Sequence, residues 1–249
     1  MIARITALAT ALCTAQTLSA QEGGNLITAE VGIGPNAQPA YFGSDMMVMS
    51  PTGSFRLERL QLWGLTVGGE DTKGLGFGGS IRLVDKRDAD EYDELEGLDT
   101  VDASVELGGG LRYYGEGYSM FADLRYGVVG HESWVAEVGG DLIHEVSPKL
   151  TLRAGPRLFW GDDDYAQTYY GVSAAESAAS DFAAYDASGG LLGAGVQLTA
   201  MYKLQNDWGV TGTLRYDQLQ GDAADSPITQ SEDQFGVSVV LTRRVTVRF

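Results

Sequence analysis

From Val101 to Val129 the chain reads VDASVELGGGLRYYGEGYSMFADLRYGVV, two runs of alternating polarity joined by Gly115, Glu116 and Gly117. In the first run Ala103, Val105, Leu107, Gly109, Leu111 and Tyr113 share one face, and Asp102, Ser104, Glu106, Gly108, Gly110, Arg112 and Tyr114 share the other. In the second, Met120, Ala122, Leu124, Tyr126 and Val128 oppose Phe121, Asp123, Arg125 and Gly127. Side chains alternate across an extended strand, so each run is a strand with one apolar face, and the Gly-bounded link makes the pair a hairpin. The other face carries glycine and isolated opposite charges instead of a water-washed set of Lys, Thr and Glu. A soluble sandwich would also alternate, but this composition fits a narrow lumen filled by side chains.

The same scheme runs outward along the chain. Leu150, Leu152, Ala154, Pro156, Leu158 and Trp160 form one apolar stripe, and Leu192, Ala194, Val196, Leu198, Ala200 and Tyr202 form another. Trp208, Val210, Gly212, Leu214 and Tyr216 carry an aromatic residue at each end, as two membrane interfaces require. Strands are expected over Leu26–Gly34, Ser54–Val67, Leu75–Val84, Val101–Tyr114, Tyr118–Val129, Trp134–Val146, Lys149–Trp160, Gly189–Tyr202, Trp208–Leu219 and Asp233–Phe249. The apolar face changes between Leu57 and Leu60. A bulge there keeps ten strands, whereas a hairpin near Arg59 with another strand in Met46–Pro51 gives twelve.

Short links at Gly68–Gly74, Gly115–Gly117, Ser147–Pro148 and Gln205–Asp207 alternate with long polar ones at Pro35–Pro51, Asp85–Thr100, Gly161–Ser188 and Gln220–Glu232, and Gly130–Ser133 is one short outer turn. The expected fold is all-β: a closed antiparallel transmembrane β-barrel of about 10 to 12 strands, with short periplasmic turns and long extracellular loops.

The first twenty residues stand apart. Arg4 precedes an apolar run, Ile5–Ala15, too short to cross a bilayer, and Ala20 ends a small, polar close, so residues 1–20 read as a secretory signal peptide and 21–249 as the barrel. The single cysteine, Cys13, lies in that leader, so no disulfide framework is expected. Among 249 residues there are 34 Asp and Glu against 17 Lys and Arg, a formal charge of −17. With no basic patch to hold phosphates, a nucleic-acid binder is excluded.

Candidate chemistry is sparse. Glu106, Arg112, Asp123, Arg125, Glu137, Asp141, Arg153, Arg157, Arg215 and Asp217 face inward and can cross-pair between strands. They would either line a selective aqueous path or satisfy one another in a plugged lumen, which is favoured for ten strands. Gly130, His131, Glu132 and Ser133 put a possible base near a possible nucleophile, but adjacent residues on an extended chain point opposite ways and proximity in sequence makes no hydrogen-bonded pair, so an outer-turn role is preferred for His131. No G-x-S-x-G, P-loop or H-E-x-x-H pattern occurs. Asp162, Asp163 and Asp164 read as a solvated loop, as do Asp88, Asp90, Glu91, Asp93, Glu94 and Glu96. No catalytic, cofactor or metal site is expected.

Several loops carry family motifs. Gly34, Pro35, Tyr41, Gly43, Ser44 and Asp45 come first; Gly97, Leu98 and Asp99 then precede Gly130 and His131. Tyr165 is followed by Tyr169, Tyr170, Gly171, Val172 and Ser173, then by Tyr185, Asp186 and Ala187. Gly221, Asp222, Ala223, Ala224, Asp225, Ser226, Pro227 and Ile228 precede the last strand. Over essentially the whole mature chain these resemble the MltA-interacting protein family, also called the MipA/OmpV family. Where that family tends to show Gly-Arg-Asp-Glu, this chain has Asp85, Lys86, Arg87 and Asp88. The resemblance implies a noncatalytic barrel in the outer membrane of a Gram-negative bacterium, an envelope scaffold for murein-synthesis or lytic transglycosylase proteins. A small-solute channel, a surface adhesin and a lipid-modifying enzyme are the alternatives. Outer-membrane lipid, lipopolysaccharide and the barrel-assembly machinery are the remaining expected partners.

The Gly221–Pro227 loop is expected to form an ordered cap or a partner contact, with Asp222 and Asp225 accepting local backbone hydrogen bonds. In the last strand Val237, Val239, Leu241, Val245, Val247 and Phe249 share a face, and the aromatic end resembles an assembly signal. Arg243 falls on that apolar face and is expected at a bulge or rim, or snorkelling. Deleting Phe249 is expected to lower the outer-membrane yield while secretion continues, as fractionation of the cell envelope against the periplasm would show.

Overall fold

The computed structural model describes residues 25–62, 65–68 and 73–249. The leader, Cys13 and most of the Gly68–Gly74 link lie outside the described residues. Eleven strands follow in order: β1 (Leu26–Pro39), β2 (Met47–Leu62), β3 (Leu65–Gly68), β4 (Gly74–Val84), β5 (Ser104–Tyr114), β6 (Tyr118–Val129), β7 (Trp134–Ser147), β8 (Leu150–Gly161), β9 (Gly190–Lys203), β10 (Trp208–Leu219) and β11 (Asp233–Arg248). They form one antiparallel sheet in the order β3-β2-β1-β11-β10-β9-β8-β7-β6-β5-β4. β1 pairs with β11 from Leu26↔Arg248 to Ala37↔Val237, which joins the first and last strands. The sheet's own ends, β3 and β4, come into contact with no ladder between them among the described residues, so the barrel is nearly closed. Closure matters because hydrocarbon offers the backbone no hydrogen-bond partner.

Two expectations about the first hairpin need correction. The segment Pro35–Pro51 is mostly strand, not a long loop: Pro35 faces Pro51 across β1 and β2, and only residues 40–46 remain outside the ladder. The Ser54–Val67 strand is also divided. The register shifts where Thr28↔Arg59 gives way to Ala29↔Leu57, which leaves Glu58 as the bulged residue and explains the change of face between Leu57 and Leu60. The chain then turns between Leu62 and Leu65, so a bulge and a hairpin both occur, a few residues apart.

Outside, the apolar faces form a belt that includes Phe77, Ile81, Leu107, Leu124, Leu142, Leu198 and Leu241, all exposed. Tyr113, Tyr202 and Trp208 lie at the short-turn end, and Trp134 and Phe235 lie at the other, where their rings pack on Tyr126 and Tyr216. Arg243 is paired in register with Trp208 and its guanidinium lies 5.2 Å from the indole ring, a rim position that keeps the charge out of the hydrocarbon.

Buried apolar residues concentrate above the barrel, in a cap made by residues 40–46, 85–103, 162–189 and 220–232. The segment expected as a loop after Gly161 instead holds two helices, α1 (Asp163–Tyr170) and α2 (Ala174–Ala179). Asp162 is the N-cap of α1, accepting from Tyr165 N at 2.9 Å and from Trp134 N at 2.8 Å, so the acidic triplet starts a helix and ties it to β7. Ser173 and Glu176 form a capping box on α2. Leu192, expected on the outer stripe, is 1% exposed: a bulge between Trp160↔Leu191 and Phe159↔Gly193 leaves it in the cap core. Replacing Leu124, which faces lipid near the middle of β6, by Arg is expected to cost about 2 to 4 kcal/mol. Urea titration of the heat-modifiable folded band on a cold detergent gel would measure the loss.

Candidate functional site

The inward faces of β4 to β8 and β10 converge on one layer of charge. Arg125 is 2% exposed and lies 2.9 Å from Glu106, 3.1 Å from Glu137 and 3.7 Å from Asp123. Asp123 also pairs with Arg112, whose Nη2 donates at 2.9 Å, and accepts from Ser80 at 2.9 Å. Glu137 reaches Arg215 at 3.5 Å, Arg215 is held by Asp217, and Arg157 meets Asp141 at 2.7 Å. Five arginines and five carboxylates therefore balance, once Arg82 on Glu106 at 3.4 Å is counted.

Local sequence explains how they fit. In β5, Gly108 and Gly110 lie opposite Arg125 and Asp123 of β6. A Cβ at Gly110 would come within 2.1 Å of Asp123 Oδ1, and one at Gly108 within 2.0 Å of Leu124 O. The glycines on the inner face are the space into which the charged pairs pack.

The network departs from the sequence-based list in three places. Arg153 shares the inner face of β8 with Arg157 but has no ion pair among the described residues, because the nearby Asp141 is engaged by Arg157. Arg82 belongs to the network although its Ile81-Arg82-Leu83 alternation in β4 was the only signal for it. His131 lies in the outer turn between β6 and β7 but its ring is buried: Nδ1 accepts from Ser133 N at 3.1 Å, which leaves the proton on Nε2 to face Glu106 Oε1 at 3.3 Å. Ser133 Oγ donates to the His131 carbonyl at 2.6 Å, so its hydroxyl is not aligned with the imidazole as a nucleophile is with its base.

The family-motif residues meet in the cap. Gly43 N donates to Gln234 Oε1 at 3.1 Å, and the Gln234 amide returns to the carbonyl of buried Ser44 at 3.3 Å. Phe42 packs edge-on against Tyr169 with ring centroids 5.1 Å apart. Val172 and Tyr185 exchange backbone hydrogen bonds of 2.8 Å, and Gly171 and Ser173 flank that bridge. Ser226 Oγ donates to Tyr170 O at 2.6 Å, and Pro227 follows it into the buried Ile228. Asp222 accepts from Ser188 N at 2.7 Å, a long-range bond and not a local one, while Asp225 and Asp45 point their side chains to solvent. Gly221 has φ +55°, a left-handed turn that glycine adopts without strain.

Tyr165, Tyr169 and Tyr170 of α1 fill the barrel mouth. Tyr165 packs against His131 and Phe159, with centroids 5.1 and 5.4 Å away, and burial pushes its phenol well above the ordinary range. Tyr41 is pushed up to about 12, by burial first and then by the charge of Glu94. These phenols stay neutral at any physiological pH.

A family profile described as MltA-interacting protein MipA matches residues 31–245. The chain belongs to that family. Against MltA-interacting protein of Escherichia coli (strain K12) it is 35% identical over 79 residues, 32% of each chain. Against the putative outer membrane protein YiaT of the same strain it is 25% identical over 153 residues, 61% of each. The chain thus spans about a third and about three fifths of the curated relatives it matches. Among solved structures, the outer membrane channel DcaP of Acinetobacter baumannii aligns over 92% of this chain and 100% of that one, with 9% identity and a TM-score of 0.38. This MipA-family member is an outer-membrane β-barrel whose motif loops fold together as its cap.

Removing one partner of a buried ion pair strands the other, so Glu106→Gln in this MipA-family barrel is expected to cost about 3 to 5 kcal/mol. Glu106 is fully buried and serves Arg125, Arg82 and His131 at once. Urea unfolding in detergent micelles, followed by tryptophan fluorescence, is the measurement.

Proposed function

We propose that the protein is a noncatalytic scaffold of the outer membrane that holds murein-synthesis or lytic transglycosylase proteins at its periplasmic face. The observation that carries this reading is the charge-balanced layer across the lumen, with an aromatic cap above it. Such an interior leaves the exposed ends of the barrel as its working surfaces. The name of the E. coli relative, MltA-interacting protein, supports a partner of the murein-cleaving class.

The two ends differ. The short turns at Gly115–Gly117, Pro148–Lys149 and Leu204–Asp207 share one end with Leu26 and Arg248, and the cap occupies the other. Asn206 and Asp207 have φ of +57° and +63°, a tight hairpin locked by Arg244 N donating to Asp207 O at 2.8 Å. By the usual orientation of such barrels the short turns face the periplasm, where murein lies, so the partner contact belongs there and not on the cap.

Photocrosslinkers at Glu116 and Asp207, compared with one at Asp225 in the cap, test this in intact cells. Murein-synthesising or murein-cleaving enzymes are expected in the crosslinks from the first two sites and not from the third. Their capture from Asp225 alone, or from none of the sites, would overturn the proposal. So would steady conductance in planar bilayers that responds to charge reversal at Arg125, since that is the behaviour of a small-solute channel.

A further inference from the structure

Between the cap and the charge layer lies a cavity of about 260 Å³. Among the described residues two buried side-chain nitrogens make no hydrogen bond, Nη1 of Arg82 and Nε of Arg87; the first is compensated by its ion pair with Glu106 at 3.4 Å, and the second has no ion pair. Both arginines line this one cavity. A buried polar group without a partner is rare in a folded protein, and an unmatched Arg87 donor on a residue that lines the cavity points to a ligand that accepts.

The surrounding acids are already engaged. Glu137 faces Arg125 and Arg215, Asp217 holds Arg215, and Asp85 accepts from Gln38 at 2.6 Å. Arg82 shares Glu106 with Arg125 and His131. Arg87 is 4% exposed and has no ion pair among the described residues; its Nη atoms rest on the carbonyls of Tyr169 at 3.0 Å and Asp99 at 3.4 Å. The unmatched group is therefore a donor, which favours an anionic ligand over a cationic one.

The remaining walls are flat and apolar. The Arg82 guanidinium lies 4.5 Å from the Phe159 ring centroid and 5.6 Å from that of Phe42, and Tyr165 and Tyr170 also line the space. Bounded by cap residues on one side and by the ion pairs on another, a space of this volume suits a single ring and not a long acyl chain.

We propose that this cavity binds a small aromatic carboxylate, with its carboxylate towards the arginine-lined wall and its ring among the Phe and Tyr side chains. The site is independent of the scaffold reading, since it requires no murein partner. Calorimetric titration of the full chain folded in detergent micelles would use benzoate, with benzyl alcohol as the neutral analogue and inorganic phosphate as the anion without a ring. Saturable benzoate binding is expected, with neither control competing. It should weaken about tenfold or more in Arg87→Gln, which removes a charge-assisted contact.

Gly193→Leu supplies a second variant. A Cβ at Gly193, which lines the cavity, meets nothing closer than 3.8 Å, so the side chain should occupy the space without disturbing the strand. Benzoate binding should be lost there while heat-modifiable migration is kept. The proposal is overturned by no saturation up to about 10 mM benzoate, by benzyl alcohol or phosphate binding as well as benzoate, or by unchanged affinity in folded Gly193→Leu. If Arg87→Gln fails to fold, the Gly193→Leu result decides.

Discussion

Three carboxylates, Glu106, Asp123 and Glu137, stand within 4 Å of the guanidinium of Arg125 in the interior of the barrel. Without that cation they would repel one another where little water is present to screen them. With it, strands β5, β6 and β7 are tied at the same height, and Arg215 extends the connection from Glu137 to β10 on the far side of the lumen. The layer does for the barrel interior what an apolar core does for a soluble domain. It also explains why β5 carries so many glycines, because small residues on one wall give the long charged side chains of the next their room.

The alternation of the sequence was enough to find most of this wall. Period two, aromatic ends and link lengths are properties of single strands, and they are readable wherever one face meets lipid. The strands from Tyr118 to Leu219 fall close to their expected limits. The first hairpin resisted the same treatment because Pro35 and Pro51, which normally interrupt strands, face each other at one register position. Leu192 was misplaced for a related reason: a single bulged residue reverses a side chain without changing the local pattern.

The charged site was legible one strand at a time and not as a network. Inward positions follow from parity, so nine of the ten expected inward charges find ion-pair partners, but partners depend on register between strands and on which acid is already taken, and Arg153 lost Asp141 to Arg157 in that way. His131 was hidden because its ring enters the lumen from a turn, where alternation does not apply. The cap was least legible. Its helices are only eight and six residues long and lack a sustained apolar period, so tertiary packing and the Asp162 and Ser173 caps define them.

Cap and charge layer are joined, and this bears on whether the mouth can act as a lid. Tyr165 of α1 accepts from Arg82 Nη2 at 3.4 Å and packs on His131, which in turn faces Glu106. Arg87 donates to Tyr169 O at 3.0 Å, and Tyr169 shares a 3.1 Å hydrogen bond with Ser104 at the top of β5. Lifting α1 would break these contacts together, and hydrogen bonds to charged groups contribute about 1.5 to 3 kcal/mol each. It would also expose buried tyrosines and take from Arg82 its hydrogen bond to Tyr165. The same arginines that fill the interior therefore hold α1 down on the mouth, and opening the barrel through α1 would have to offset the loss of these contacts.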